Sequence, residues 1–270
     1  MSKIIDGKVL ADKLGISIKK KLGKLKERPL VVSILIGGDP NSLLYTQMKQ
    51  KKAEEFNIDF LPMKFSQRSS FENVAKQIRL LNNAPEVKGI MIQLPIPKDF
   101  LRGIHKSELI NLINPQKDID GMIEESPFLS ATVSGVMKIL NSILASQGET
   151  LQRYRELVFA VVGSEGEVGL PLVHELAARG AKEIIRLDKK NPECNMMDLQ
   201  KADVVISCTG VQGLVDAEMV KEGVIAIDVG LGDFDEGVYE KASMYTPKFG
   251  GVGPLTIISL MENILEAARK

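Results

Sequence analysis

The sequence predicts an α/β protein with two lobes. Short aliphatic runs alternate along the chain with longer amphipathic runs, as strands and helices do in βαβ units. The short runs are rich in β-branched residues without polar alternation, which is typical of parallel strands buried on both faces. A polar stretch at 147–155 precedes the most apolar run, 158–162, and indicates that a second lobe begins near this point.

The predicted strands are the aliphatic runs, at 30–37, 89–94, 157–163, 183–187, 203–208 and 224–230. Helices are predicted where apolar residues recur at the helical period, at 7–26, 42–56, 70–83, 131–146, 168–179 and 253–268. The helix at 131–146 connects the lobes. Loops that follow the strands of open α/β sheets usually carry the function, so motifs at strand ends are the most informative.

Composition excludes several classes of protein. The 270 residues contain 35 basic and 35 acidic side chains, so no net field attracts nucleic acid or an anionic membrane. No apolar stretch approaches the roughly 18–20 residues of a membrane span. Two cysteines and two histidines provide neither a disulfide framework nor a metal site. These observations predict a cytoplasmic globular protein without a bound metal.

A glycine turn follows the most apolar predicted strand. The segment 163–169 reads Gly-Ser-Glu-Gly-Glu-Val-Gly and leads into a predicted helix. Glycines at such a junction allow the backbone to approach a pyrophosphate, which the helix N-terminus attracts. The spacing is G-x-x-G-x-x-G rather than G-x-G-x-x-G, and a turn that merely joins a strand to a helix is the alternative.

Charged residues around this turn give conflicting indications. Asp188 ends the next predicted strand, about 20 residues beyond the turn, where an acidic side chain can meet a ribose hydroxyl. The alternatives for Asp188 are a helix N-cap or a surface charge. Glu165 and Glu167 would repel a phosphate unless they turn outward, whereas Lys189 and Lys190 could compensate or meet a 2′-phosphate.

The first lobe carries a tyrosine and a lysine on one helix face. Tyr45 and Lys49 are four residues apart on the helix that follows the first predicted strand. An aromatic ring beside an ammonium group can stack on a heterocycle while the amine exchanges protons with it. Gln93, an amide at the end of an aliphatic strand, could orient Lys49 by a hydrogen bond. A surface Tyr–Lys pair and an edge amide are the alternatives.

Two further segments favour ligand binding. The turn 117–121 sets Asp118 and Asp120 before a glycine, where a carboxylate can accept hydrogen bonds from an amidine-like N–H and NH₂ pair. A turn-stabilising aspartate is the alternative. The glycine-rich segment 246–256 implies a close approach of the backbone, either to a ligand or to a neighbouring strand.

Taken in order, these segments resemble the bifunctional methylenetetrahydrofolate dehydrogenase/methenyltetrahydrofolate cyclohydrolase family along essentially the whole chain. The segments that carry the resemblance are 4–8 (Ile-Ile-Asp-Gly-Lys), Tyr45-x-x-x-Lys49, 89–97, 117–121, 227–230 (Ile-Asp-Val-Gly) and 250–254 (Gly-Gly-Val-Gly-Pro). The resemblance implies an N-terminal α/β folate lobe, a C-terminal Rossmann-like lobe that binds NAD(P), and a homodimer. The last helix returns to the first lobe, so the implied domains are 1–130 with 250–270, and 131–249.

The resemblance also implies roles for individual residues. Catalytic roles fall to Lys49, Tyr45, Gln93 and Asp120: Lys49 is the general acid/base, Gln93 tunes it, Tyr45 stacks on the folate and Asp120 holds the pterin. The substrate-binding residues are Tyr45, Asp120, Gly251, Val252, Gly253 and Pro254. The residues predicted to bind the cofactor are Gly163, Ser164, Glu165, Gly166, Gly169, Asp188, Thr209 and Gly230.

The second lobe departs from the family pattern at several positions. Ser164-Glu165 replaces an arginine-serine pair, Gly232 replaces an asparagine, and the hairpin after it is shortened. The segment 131–133 replaces a Cys-Thr-Pro segment, and Lys248-Phe249 replaces Val-Pro. Asp188 favours NAD, because a carboxylate repels a 2′-phosphate, whereas family usage favours NADP.

The predicted function is therefore NADP-dependent oxidation of 5,10-methylenetetrahydrofolate to the methenyl compound, followed by its hydrolysis to 10-formyltetrahydrofolate. NAD is the alternative cofactor. One alternative function is a cyclohydrolase with weak or lost dehydrogenase activity. The other is a non-catalytic regulator that binds folate or nucleotide.

Overall fold

The computed structural model describes residues 4–145, 150–189 and 195–270. The chain divides into two compact units. One consists of Lys13–Ala131 with Ile257–Lys270 and is called the three-stranded unit; the other consists of Met1–Asp12 with Thr132–Thr256 and is called the five-stranded unit. Both contain a parallel sheet with helices between successive strands, so the α/β fold predicted from the sequence is confirmed.

The elements before the second sheet are α1 (Gly7–Leu22), β1 (Leu30–Ile36), α2 (Pro40–Glu55), β2 (Asp59–Phe65), α3 (Phe71–Asn83), β3 (Val87–Ile92), α4 (Lys98–Leu101), α5 (Lys106–Ile110), α6 (Ala131–Ala145) and α7 (Thr150–Glu156). The remaining elements are β4 (Val158–Val162), α8 (Gly169–Ala178), β5 (Glu183–Leu187), β6 (Val204–Ser207), β7 (Ile225–Asp228), α9 (Glu236–Lys241), β8 (Met244–Tyr245) and α10 (Val252–Ala267). Short 3₁₀ helices span Pro115–Lys117, Met196–Lys201 and Ala217–Met219.

The sheet of the three-stranded unit has the order β2-β1-β3. The central strand β1 is almost entirely buried, and Ile34 pairs with Met63 on one side and with Ile92 on the other. The chain leaves β1 through α2 toward β2 on one side, whereas β3 lies on the other side of β1. The carboxyl ends of β1 and β3 therefore form a topological switch point, where the chain diverges. Ligands of open α/β sheets bind at such a divergence.

Helix α2 begins at this edge with a side-chain cap. The Asp39 carboxylate accepts hydrogen bonds from Ser42 N at 2.8 Å and Ser42 Oγ at 2.9 Å, and Pro40 occupies the first turn, where its missing N–H is not needed. The Ser42 hydroxyl also donates to the Leu94 carbonyl at 3.0 Å. The start of α2 is thereby tied to the segment that follows β3.

The C-terminal residues complete the three-stranded unit. The half-helix from 257 onward contributes Asn263, whose side-chain amide donates to the carbonyls of Ile119 at 2.9 Å and Leu129 at 3.0 Å. A buried amide that bonds two loop carbonyls holds the loop around residue 120 in place. This agrees with the predicted return of the last helix to the first lobe.

The sheet of the five-stranded unit has the order β5-β4-β6-β7-β8. Val162, the last residue of β4, pairs with Leu187 of β5 and with Ser207 of β6. The chain leaves β4 for β5 on one side, and β6 lies on the other side of β4. The carboxyl end of β4 is therefore the topological switch point of this sheet, and the glycine turn begins there.

Strands β2 and β8 are absent from the sequence prediction. β2 lies at the sheet edge and carries Asp59, Pro62 and Lys64, so its residues alternate in exposure instead of forming one apolar run. β8 has only two residues. The polar stretch 147–155 contains most of α7, in which Tyr154 is fully buried and stacks on Phe159.

No helix of the described part of the chain is long and apolar enough to cross a membrane. Across residues 4–145, 150–189 and 195–270, no cluster of three or more His, Cys, Asp or Glu side chains is arranged to hold a metal. Cys208 carries a free thiol, and Cys194 lies outside the described residues.

Candidate active site and cofactor turn

Lys49 and Gln93 meet at the carboxyl edge of the three-stranded sheet. Lys49 Nζ donates to Gln93 Oε1 at 3.2 Å, and both residues are half-buried. The Gln93 backbone N–H donates to the Ile34 carbonyl at 2.8 Å, which extends the β1–β3 pairing by one residue. Gln93 Nε2 donates to the Leu94 carbonyl at 3.2 Å, so the amide oxygen faces Lys49. The expected hydrogen bond between the amide and the lysine is present.

Tyr45 lies one helical turn before Lys49 on α2 and is 40 % exposed. Its ring is accessible to a ligand on the same helix face as the ammonium group. The neighbouring Lys52 has a different environment, because its Nζ pairs with Glu55 Oε2 at 3.0 Å and lies 5.4 Å from the Phe56 ring centroid. Lys49 and Lys52 therefore differ in partner although they share a helix.

The structure separates the roles of the two aspartates in the 117–121 turn. Asp118 is buried and accepts hydrogen bonds from the backbone N–H groups of Met122 at 2.8 Å and Ile123 at 2.9 Å. Burial raises the pKa of the Asp118 carboxyl group. Asp118 stabilises the turn, which is the alternative considered for an acid at this position.

Asp120 is half-buried and follows Asp118 by two residues. Asp118 forms an isolated parallel bridge with Ile90 of β3. Gly121 has φ +66°, and a Cβ there would lie 2.5 Å from the Ser130 N atom. Asp120 thus lies in a tight turn that Asp118 bridges to β3.

The segment 251–254 belongs to the five-stranded unit, at the start of α10. A Cβ on Gly251 would lie 2.6 Å from the Pro247 carbonyl oxygen, and a Cβ on Gly7 would lie 1.7 Å from that of Gly251. Gly251 is thus required by close packing of backbone against backbone. Gly253 has open space around it.

The glycine turn after β4 is held by its own backbone. The N–H groups of Gly163 and Ser164 both donate to the Leu187 carbonyl, at 2.7 and 3.2 Å, and Gly163 has φ +82°. A Cβ on Gly169 would lie 2.0 Å from the Gly163 carbonyl oxygen. The close return of the chain to the start of α8 is the geometry that accommodates a pyrophosphate at a helix N-terminus, so the turn fits a dinucleotide.

The charged residues at this turn are paired with one another. Glu165 Oε1 accepts from Arg186 Nη2 at 2.5 Å, and Asp188 Oδ2 accepts from the Glu165 backbone N–H at 3.2 Å. The Glu165 carboxylate thus pairs with a cation on β5. Lys190 lies outside the described residues, and Lys189 is exposed.

Asp233, which the sequence analysis did not identify, contacts the ends of the next two strands, β6 and β7. Its Oδ2 atom is buried and accepts from Ser207 Oγ at 2.6 Å, from Thr209 N at 2.8 Å and from Thr209 Oγ1 at 2.8 Å. A Cβ on Gly230 would lie 2.1 Å from Asp233 Oδ1. The sequence feature that could have identified Asp233 is its position directly after the Gly-Leu-Gly segment that follows β7.

A second buried carboxylate lies beside Asp233. Asp228 ends β7 and accepts from the Gly232 backbone N–H at 2.7 Å and from the Tyr239 hydroxyl at 3.4 Å. Burial, reinforced by the neighbouring Asp233, raises the pKa of the Asp228 carboxyl group. The short turn 229–233 therefore connects two carboxylates that are both removed from water.

Comparison with known proteins identifies the family. Residues 5–120 match the family described as tetrahydrofolate dehydrogenase/cyclohydrolase, catalytic domain, and residues 130–270 match its NAD(P)-binding domain. The chain belongs to the tetrahydrofolate dehydrogenase/cyclohydrolase family. The predicted fold class, enzyme class and folate function are thereby confirmed, as is the presence of an NAD(P)-binding domain.

Individual relatives match over their whole length. The bifunctional protein FolD of Halalkalibacterium halodurans is 35 % identical over 99 % of both chains. The crystal structure of the bifunctional FolD of Campylobacter jejuni is 32 % identical, with a TM-score of 0.87 over 98 % of this chain and 97 % of that one. The Trypanosoma brucei enzyme, solved with NADP and an inhibitor, is 25 % identical, with a TM-score of 0.84 over 98 % and 97 %.

Proposed function

We propose that this member of the tetrahydrofolate dehydrogenase/cyclohydrolase family oxidises 5,10-methylenetetrahydrofolate with NADP and then hydrolyses the methenyl product to 10-formyltetrahydrofolate. The observation that carries the proposal is the 3.2 Å hydrogen bond from Lys49 Nζ to Gln93 Oε1 at the carboxyl edge of β3. Binding alone would not require a lysine held in this way. Proton transfer does.

In the hydrolysis, water adds to the methenyl carbon, the bond between that carbon and N5 breaks, and the formyl group remains on N10. We assign the proton transfers to Lys49 as general acid/base. Gln93 positions the ammonium group, because its amide is fixed by bonds from Nε2 to Leu94 and from its backbone N–H to Ile34. A positioned acid/base group contributes about 10²–10⁴-fold to the rate of such a step.

Substrate recognition in this proposal uses Tyr45 and Asp120. The exposed Tyr45 ring stacks on the folate, and the Asp120 carboxylate accepts hydrogen bonds from the pterin ring. We assign Gly251, Val252, Gly253 and Pro254 to the same substrate on the resemblance alone. Stacked rings held in near-attack geometry are the main requirement of the hydride transfer.

The cofactor residues proposed are Gly163, Ser164, Glu165, Gly166, Gly169, Asp188, Thr209 and Gly230. When NADP is bound, it supplies the acceptor for the hydride. The chain contributes the close backbone approach at Gly163 and Gly169, and the loop of Thr209 that Asp233 holds in place.

The test follows the absorbance of the methenyl compound. One series starts from the methylene compound with NADP, NAD or neither, and a parallel series starts from the methenyl compound. Cofactor-dependent formation together with accelerated decay supports both activities. Absence of both from folded protein would refute the proposal.

A cyclohydrolase with weak dehydrogenase activity is the second candidate function. The observation that favours it is the ion pair between Glu165 and Arg186, because this carboxylate occupies a cation that a phosphate-bearing cofactor could otherwise bind. The same assay separates the two, because this candidate predicts accelerated decay of the methenyl compound without cofactor-dependent formation.

We also propose, from the family resemblance, a cytoplasmic homodimer that supplies 10-formyltetrahydrofolate for purine biosynthesis. Light scattering coupled to size-exclusion chromatography tests the dimer. A mass near the 29.6 kDa of one chain would exclude it.

A further inference from the structure

Glu165 and Arg186 form an ion pair at the switch point of the five-stranded sheet. The 2.5 Å bond joins Glu165 Oε1, in the glycine turn after β4, to Arg186 Nη2, near the end of the neighbouring strand β5. Both side chains are partly exposed, at 39 % and 44 %. The pair is therefore accessible to a bound molecule.

The position of the pair relates it to the sugar of a dinucleotide. In open α/β sheets, residues at the end of the strand next to the glycine turn face the adenosine ribose, where an acid meets a 2′-hydroxyl and an arginine accommodates a 2′-phosphate. Here the turn is bound to the end of β5 through Gly163 N and Leu187 O, and through Glu165 N and Asp188 Oδ2. Arg186 and Asp188 thus flank the same turn.

We propose that Arg186 binds the 2′-phosphate of NADP and that Glu165 competes with this phosphate for the guanidinium group. The inference rests on the proposed dehydrogenase function and adds the residues that select the cofactor. Because Glu165 already occupies Arg186, NADP must displace a carboxylate that NAD leaves in place. Glu165 thereby lowers the ratio of the affinity for NADP to the affinity for NAD.

Charge supports this assignment. In the turn and the described residues at the end of β5, Glu165, Glu167 and Asp188 contribute three negative charges, and Arg186 and Lys189 contribute two positive charges. A 2′-phosphate adds negative charge to a group of residues that is already slightly negative, whereas the 2′-hydroxyl of NAD adds none. Guanidinium groups bind carboxylate and phosphate through the same paired N–H donors, so the two anions compete for one geometry.

The test measures binding rather than turnover. Isothermal titration gives the affinity of the full chain for NADP⁺ and NAD⁺, and for 2′,5′-ADP and 5′-AMP, which lack the nicotinamide and differ only in the 2′-phosphate. For Glu165→Gln we expect about tenfold tighter binding of NADP⁺ and 2′,5′-ADP, with NAD⁺ and 5′-AMP changing by less than about twofold. Glu165→Ser, which removes the side-chain contact, gives at least the same gain.

Two controls isolate the ion pair. In the double variant Glu165→Gln/Arg186→Gln the gain disappears, because the phosphate has lost its cation. Glu175→Gln removes one charge from the ion pair between Glu175 on α8 and Arg179, the residue that follows the helix, and it leaves the ratio of the two affinities unchanged. Because exposed charges are screened by salt, the gain in Glu165→Gln also shrinks when ionic strength rises from about 0.05 to 0.5 M. Thermal unfolding verifies that each variant is folded.

Several outcomes would overturn the inference. An equal gain for both cofactors, or a gain that survives the loss of Arg186, removes Arg186 from 2′ recognition. An unchanged ratio in a wild type that binds both dinucleotides overturns the inference but leaves the dehydrogenase proposal intact. A wild type that binds neither dinucleotide overturns both.

Discussion

The two sheet edges that carry the candidate sites differ in what fixes them. At the edge of the three-stranded sheet, the key contact is between side chains: the Leu94 carbonyl orients the Gln93 amide, whose oxygen in turn holds the Lys49 ammonium group. At the edge of the five-stranded sheet, backbone contacts at Gly163 and Gly169 fix the turn. The side chains around it are then free to differ from the family pattern. The comparison shows that a fold can keep the backbone geometry that binds a ligand while the charged side chains that select the ligand change.

The largest expected effect comes from a substitution at the edge of the three-stranded sheet. Lys49→Met removes the only proposed acid/base group, so hydrolysis of the methenyl compound should fall by about 10²–10⁴-fold while folate still binds. The decay of the methenyl absorbance measures this. Lys52→Met is the matched control, because Lys52 lies on the same helix but pairs with Glu55, and its effect should be small. Retention of most activity in Lys49→Met would exclude Lys49 from the mechanism.

The second prediction concerns a substitution in the glycine turn at the edge of the five-stranded sheet. Gly169→Ala places a Cβ 2.0 Å from the Gly163 carbonyl oxygen, so the turn must shift. Overpacking of this kind costs about 1–3 kcal/mol of stability. A distorted cradle should also weaken NADPH binding by about tenfold or more, as measured by nicotinamide fluorescence.

Gly23→Ala is the control for that substitution, since the nearest atom to its added Cβ is 3.5 Å away. Undiminished NADPH binding by Gly169→Ala would mean that the turn does not contact the cofactor. A larger loss of methenyl hydrolysis than of NADPH binding would contradict the separation of the two edges.

A third prediction sharpens the account of the first edge. Gln93→Leu removes the acceptor that positions Lys49, and hydrolysis should fall by about tenfold, less than in Lys49→Met. Gln93→Glu retains an acceptor but stabilises the charged ammonium group, so the pH profile of hydrolysis should move to higher pH. A merely structural role for Gln93 would lower activity in both variants without moving the profile.

The smallest expected effect concerns the buried carboxylates of the second edge. Burial and Asp233 raise the pKa of Asp228 in the folded state, so its favourable contribution is present below the unfolded value of about 4 and is lost as pH rises through the folded pKa. In Asp228→Asn the side chain does not ionise, so this loss of stability at higher pH is absent. The free energy of unfolding should then vary less with pH, by on the order of 1 kcal/mol between about pH 4 and 8. Urea titrations at several pH values measure this free energy. If it varied with pH equally in the wild type and in Asp228→Asn, the pKa of Asp228 would not be raised in the folded state.

Local sequence patterns were sufficient for most of the fold. The strands β1, β3, β4, β6 and β7 are mostly buried apolar runs, which are visible without knowledge of their neighbours. The edge strand β5 exposes Glu183 and Arg186 but still shows the aliphatic residues Ile184, Ile185 and Leu187. β2 was missed because Asp59, Pro62 and Lys64 interrupt its apolar residues, so its composition resembles that of a loop. The helix α9 lies in the shortened region after Gly232, where the family pattern gave no guide.

The candidate site was predictable only to the level of residue types at strand ends. The spacing of Tyr45 and Lys49 places them on one helix face, and Gln93 follows an apolar strand. The spacing could not decide which aspartate of the 117–121 turn is buried. That depends on the pairing of Asp118 with Ile90 and on backbone donors supplied by Met122 and Ile123.

The sequence by itself determined the alternation of strands and helices, the glycine spacing after β4 and the ordered motifs that identify the family. These features are local, because hydrophobic periodicity and turn chemistry act over a few residues. Only the tertiary structure decided that Glu165 pairs with Arg186, 21 residues away, and that Asp233 gathers Ser207 and Thr209. Strand order and register choose these partners, since they decide which distant side chains share one sheet edge.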